Sequence, residues 1–226
     1  MAIIDPEAIV IDLDGTMVDS VPDLAHSVDQ VMERLHLAPC GEAQVRLWVG
    51  NGVEPLVKRA LTKSMDGEPD AALFAQAFPL FLEVYGANTC ARSRLYPGIG
   101  EGLLRLKGLG YRLACVTNKA ERFTTPLLVA LGIAAHFELV IAGDSLPRKK
   151  PDPLPLLHAS QHFGVPPQAV LMVGDSVSDV KAARAAGCNV VCVSYGYNHG
   201  EDIREAGPDA VIDRLTELPD LFVQAA

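Results

Sequence analysis

Two aspartates one residue apart, Asp12 and Asp14, stand where the apolar run Ile9-Val10-Ile11 stops and Gly15-Thr16 begins. A short run of β-branched residues is a buried strand, so these carboxylates are delivered to the carboxyl end of a sheet, where parallel α/β folds bind their ligands. Alternation along an extended chain puts Asp12 and Asp14 on one side and turns Leu13 back toward the core. Two like charges so close repel unless a cation separates them. Magnesium suits the position, because it is a hard ion that takes a few carboxylate and carbonyl oxygens and leaves room for phosphate. Gly15 lets the backbone turn sharply away from the strand.

Three more groups of polar residues stand just beyond other apolar runs. Thr117-Asn118 follows Tyr111 to Val116 and brings a hydroxyl and an amide, neutral donors that can grip phosphate oxygens. The same pair can cap a helix starting near 120, and both readings hold together because a helix N-terminus is itself an anion site. In Arg148-Lys149-Lys150-Pro151, a lysine before a proline-stiffened turn places a point charge beside carboxylates and a phosphoryl group. In Val173-Gly174-Asp175-Ser176-Val177-Ser178-Asp179, a strand again ends in a carboxylate. Asp175 is positioned to complete a magnesium site. Asp179, one helical turn on, either binds the ion through water or holds the lysine in place.

These groups need a scaffold of alternating strands and helices. Strands are expected at 9–11, 111–116, 138–142, 169–173, 189–193 and 209–212, with helices near 99–107, 120–131, 154–163, 177–186, 200–206 and 214–224. This alternation predicts an α/β protein with a doubly wound, Rossmann-like parallel sheet. Residues 17 to 90 break the rhythm: helices are expected at about 20–35, 53–64 and 70–86, with no convincing strand. The chain therefore reads as an α/β core interrupted after its first strand by an all-helical insertion.

Taken in order, Asp12-Leu13-Asp14-Gly15-Thr16, Thr117-Asn118, Lys150-Pro151 and Gly174-Asp175 with Asp179 resemble the four motifs of the haloacid dehalogenase superfamily of phosphatases. The resemblance implies that Asp12 is the nucleophile, forming an aspartyl-phosphate, and that Asp14 is the general acid and base. It implies Mg2+ held by Asp12, the Asp14 carbonyl and Asp175, with Lys150, Thr117 and the Asn118 backbone neutralising charge. The family's Lys-Pro pair selects Lys150 over Lys149. Dehalogenase members are disfavoured because they need no acid at the position of Asp14. In this family an insertion after the first motif is a mobile cap, which divides the chain into a core of residues 1–16 and 97–226 and a cap of 17–96.

Trp48-Val49-Gly50-Asn51-Gly52 and Tyr195-Gly196-Tyr197-Asn198-His199-Gly200 are similar to segments of bacterial phosphoglycolate phosphatases. This implies hydrolysis of 2-phosphoglycolate to glycolate and phosphate. Gly50 and Gly52 would let backbone amides approach a small carboxylate; Arg46, Lys58 and Arg59 are candidate charge partners, but each reads first as part of an exposed helix face and none is placed in the site. Competing readings are a phosphatase of a sugar phosphate such as N-acetylmuramate 6-phosphate, a phosphosugar mutase, and a receiver-type signalling domain that accepts phosphate on aspartate. A receiver has no use for an inserted cap or a positioned general acid.

At 226 residues, 49% hydrophobic and 21% charged, the chain has an ordinary globular composition, and its net charge of -9 argues against a nucleic-acid partner. An anionic substrate must then be drawn in locally, by a metal, a lysine or a helix N-terminus. The five cysteines contain no Cys-x-x-Cys and read as core thiols of a reducing compartment. No signal peptide and no membrane span are expected, so a cytoplasmic monomer or homodimer acting on a small phosphorylated substrate is the expectation. His158 and His162 have metal-pair spacing without a third ligand, and Phe74, Phe78 and Phe81 read as helix packing.

Overall fold

The structure is a computed structural model that describes residues 3–223. Its strands are β1 (Ile3–Ile4), β2 (Ala8–Ile11), β3 (Val18–Asp19), β4 (Arg94–Leu95), β5 (Arg112–Val116), β6 (Leu139–Ile141), β7 (Val170–Gly174), β8 (Asn189–Val193), β9 (Ala210–Ile212) and β10 (Phe222–Val223). Six of them form one parallel sheet in the order β6-β5-β2-β7-β8-β9, with the aspartate-bearing strand β2 inside it.

Alternation along these strands decides which residues serve which face. Ile9, Ile11, Leu113, Cys115, Leu171 and Val173 join one apolar cluster with residues of α5 (Ile99–Gly108) and α6 (Glu121–Ala130). Ala8, Val10, Ala114, Val116, Val170 and Met172 join another with α7 (Leu154–Phe163) and α8 (Val177–Ala186). Both faces are covered, as a parallel sheet requires, and the doubly wound α/β expectation is met.

Between β3 and β4 lie four helices, α1 (Val21–Arg34), α2 (Glu42–Trp48), α3 (Val53–Thr62) and α4 (Ala71–Ala87). They build a third cluster around Trp48, Leu56, Phe81 and Tyr85, to which Phe123 and Tyr197 are added from the sheet side. The chain enters this unit along β3 and leaves along β4, and the two pair antiparallel. The return passage is clamped by Asp23 on the first turn of α1. Its fully buried carboxylate accepts from the backbone N–H groups of Arg92 and Ser93 and from the Ser93 hydroxyl, at 2.7 to 3.0 Å.

Several elements depart from the sequence expectation. Helix α2 lies where no helix is expected, between those at 20–35 and 53–64. The stretches 200–206 and 214–224 hold only short 3-10 turns, and the second gives way to β10, which pairs with β1. β3 and β4 are two residues each, too short to show a period, and pairing partners rather than propensity create them. Among the described residues no helix is long and apolar enough to cross a membrane.

Asp23→Ala would leave the Arg92 and Ser93 donors without their acceptor. The expected loss is on the order of 3 kcal/mol of unfolding free energy, read from urea denaturation.

Candidate active site

The ends of β2, β5 and β7 point the same way, so residues far apart in sequence meet beyond one edge of the sheet. Asp12, Asp14, Thr117, Asn118, Lys150, Asp175 and Asp179 all line one cleft. These seven residues of the four motifs are therefore in one place.

Lys150 is the hub. It is 3% exposed, and its Nζ lies 2.9 Å from Asp12 Oδ1, 2.7 Å from Asp179 Oδ1 and 2.7 Å from the Val116 carbonyl. Burial alone would lower the ammonium's pKa, but Asp12 and Asp179 outweigh it and keep the group charged. Asp179 is committed on both oxygens, since Oδ2 accepts from the backbone of Asp175 and Ser176 and from the Ser176 hydroxyl. It positions Lys150 and the start of α8. Ser176, not Asp175, is the helix cap.

Asp175 hangs between two glycines. Thr16 Oγ1 donates to its Oδ1 at 2.9 Å and the Tyr197 N–H to its Oδ2 at 2.8 Å. A Cβ at Gly15 would overlap Asp175 Oδ2, and one at Gly196 would overlap Asp175 Cβ; Gly15 also has φ +88°. Both positions must be glycine for the carboxylate to sit there.

Asp12, Asp175 and Asp179 offer ligand oxygens all within 4.8 Å of one another. Burial pushes the Asp12 carboxyl up to about 7, against the pull of Lys150, and Asp179 adds to the rise. Burial, with Asp179 and Asp12 alongside, raises Asp175 well above the usual range. Asp12 Oδ1 is buried and, although in ionic contact with Lys150, makes no well-angled hydrogen bond. An all-oxygen donor set with an oxygen to spare and unbalanced charge fits a hard divalent cation.

Thr117 and Asn118 both line the cleft, and each side chain also has a partner within the protein. The Asn118 amide donates to the Lys150 carbonyl at 2.9 Å and ties the two loops together, which leaves the Asn118 backbone for the role the resemblance implies. Thr117 Oγ1 accepts from the Lys119 N–H, and α6 begins after Ala120 with no side-chain cap. The helix-cap reading of the pair is thus not realised.

The site also contains a group that sequence reasoning missed. Lys119, 3% exposed, brings its Nζ within 3.1 Å of both oxygens of Asp14 and 2.5 Å of the Tyr85 hydroxyl on α4. Burial would lower its pKa, but Asp14 and Tyr85 raise it, so it too is charged. A lysine after Thr-Asn reads as solvent-facing; only its place at a strand end signals otherwise. Four carboxylates thus face two ammonium groups, and one divalent cation would offset the two negative charges left when all four are ionised.

Leu24, Val49, Gly50, Gly52, Val53 and Leu56 from the helical unit close the cleft from above. The void between is about 40 Å3, where one enclosed water takes roughly 10–15 Å3. Arg46, Lys58 and Arg59 are not in it. Arg46 forks onto Asp19, Lys58 pairs with Glu54 and Glu68, and Arg59 pins the Trp48 carbonyl and Asn51. Lys149 reaches the Asn51 carbonyl instead of the carboxylates. His158 and His162 join no group of potential metal ligands among the described residues.

The sequence profile of the haloacid dehalogenase-like hydrolases matches residues 9–193, from the first sheet strand to the end of β8. The chain belongs to this family. It is 61% identical over 221 residues to a phosphoglycolate phosphatase of Nitrosococcus oceani, covering 98% of each chain. It is 51% identical to one from Thiobacillus denitrificans, covering 97% of this chain and 96% of that one. A crystal structure described as a predicted phosphoglycolate phosphatase from Haemophilus somnus superposes with a TM-score of 0.90 at 39% identity, covering 95% of this chain and 97% of that one.

A raised carboxyl pKa makes the protein without metal less stable as pH rises. Asp12 binds its proton more tightly folded than unfolded, so stability present near pH 4 is lost through about pH 7. Melting temperature in EDTA should fall across that window, and MgCl2 should raise it more at pH 7.5 than at pH 5, a window taken from these pKa values.

Proposed function

We propose that this chain hydrolyses 2-phosphoglycolate to glycolate and phosphate, with Mg2+ as cofactor. The observation that carries the reading is the meeting of Asp12, Asp14, Asp175 and Lys150 at one edge of the sheet beneath an apolar lid. The full-length identity to proteins named for that activity supports the substrate. In the same reading residues 1–16 and 97–226 are the catalytic core and 17–96 a cap that closes over the substrate. A cytoplasmic setting agrees with five free thiols, three of them buried.

An Asp12 oxygen attacks phosphorus, and the bond from phosphorus to the glycolate oxygen breaks. The departing electron pair takes a proton from Asp14. Water then attacks the aspartyl-phosphate while Asp14 accepts its proton, and the phosphorus–Asp12 bond breaks to return the carboxylate. Asp12, Asp175 and the Asp14 carbonyl would hold Mg2+, which supplies charge neutralisation at the phosphoryl oxygens. Lys150 adds a fixed positive charge, held by Asp179 so that it need not reorganise during reaction. The lid side chains exclude water that would otherwise screen these charges.

Steady-state rates over a panel of phosphate esters, with and without MgCl2, test the reading. Expected is a kcat/KM highest for 2-phosphoglycolate and dependent on the ion; sugar phosphates ranking clearly above it would reject the substrate. Asp12→Asn should abolish turnover. Asp14→Asn should slow it by roughly 10²–10⁴-fold and accumulate phosphoenzyme.

A further inference from the structure

Tyr85 is an odd occupant of its helix. The buried face of α4 consists of Ala77, Phe81, Val84 and Tyr85, and the other three are apolar. Its ring belongs there, 5.5 Å from that of Phe81 and 4.9 Å from that of Phe123. The hydroxyl does not: a phenylalanine would fill the same space, and a buried hydroxyl needs a partner. That partner is Lys119 Nζ at 2.5 Å, which also lies 4.9 Å from the centre of the Tyr85 ring.

An ammonium has three protons, and here all three are accounted for. Two point to the oxygens of Asp14 and one to Tyr85. A lysine side chain is long and has many rotamers, so the direction in which it presents its charge depends on what holds its tip. Held between Tyr85 and the carboxylate, it fixes both oxygens of Asp14 at once. Tyr85 comes from the helical unit and Asp14 from the sheet, so the contact spans the two parts of the molecule that enclose the cleft.

We propose that Tyr85 is a positioning residue: through Lys119 it sets the orientation of the Asp14 carboxyl from the far side of the cleft. The proton-transfer geometry is then complete only while α4 lies against the sheet edge, and the helical unit contributes to chemistry as well as to exclusion of water. This rests on the reading of Asp14 as acid and base given above. Neither Tyr85 nor Lys119 touches the reacting phosphorus in this scheme.

The test separates positioning of an acid from packing and from substrate binding. Phosphate esters without a carboxylate, ranging from p-nitrophenyl phosphate to phenyl and simple alkyl phosphates, differ in how strongly departure of the leaving group needs a proton. For each, kcat/KM reports the steps up to that departure. Tyr85→Phe keeps the ring and its stacking. It is expected to lower kcat/KM on the order of tenfold for the basic alkyl and phenyl leaving groups, part of the roughly 10²–10⁴ that general acid–base catalysis supplies. The loss should be below about threefold for p-nitrophenyl phosphate, and Lys119→Met should steepen the same dependence.

An equal loss across the series at unchanged melting temperature would mean general disturbance of the site and overturn the proposal. So would a loss seen only as raised KM for 2-phosphoglycolate, which would make the pair a carboxylate receptor. If the wild type is active and Tyr85→Phe matches it on every ester, the proposal fails while the assigned function stands. A wild type inactive on every phosphate ester removes both.

Discussion

Four carboxylates share a space largely withdrawn from bulk water, and nothing else in this molecule is so costly to arrange. Isolated buried charges are tolerated only with partners, and each partner here is held by something further out. Lys150 is fixed by Asp179, Asp179 by the first turn of α8, and α8 by its packing on β7 and β8. Lys119 is fixed by Asp14 and by a tyrosine from the opposite side. The sheet matters because it sets three strand ends side by side, at a spacing that lets these groups meet.

Glycine placement follows from the same crowding. Gly15 and Gly196 flank Asp175, and a Cβ at Gly174 would overlap the Asp179 carboxylate. These residues bring no side chain of their own. They let backbone approach charged side chains closely enough to hydrogen-bond them, which is why the segments around Asp12, Asp175 and Tyr197 carry a Gly beside a polar or aromatic residue.

Much of this was legible in the sequence because strand ends announce themselves. A β-branched run stopped by a carboxylate is an abrupt change of chemistry, and Asp12, Asp175 and Lys150 were found that way or from the motif order. Lys119 and Tyr85 were not, because their signals are misleading in isolation. One is a charged residue in an apparent loop, the other an aromatic among apolar neighbours, and each makes sense only once the other is seen. Arg46, Lys58 and Arg59 read from the sequence chiefly as an exposed helix face outside the site, and outside it they are, each engaged by acidic residues or carbonyls of its own surroundings. The paired dipeptides β3 and β4 leave no pattern at all, since two residues cannot display a period.

That ribbon has an effect on how the molecule can change over time. Both passages between the sheet and α1–α4 run through neighbouring residues, 18–19 and 94–95, in direct register. The distance the sheet must bridge is therefore one strand spacing, about 4.8 Å, whatever the length of chain looped out beyond it. Helices there can be lengthened or shuffled while the strand ends keep their spacing, provided a group in the place of Tyr85 still reaches Lys119. One ancestral scaffold can thereby acquire new clientele without relearning its chemistry.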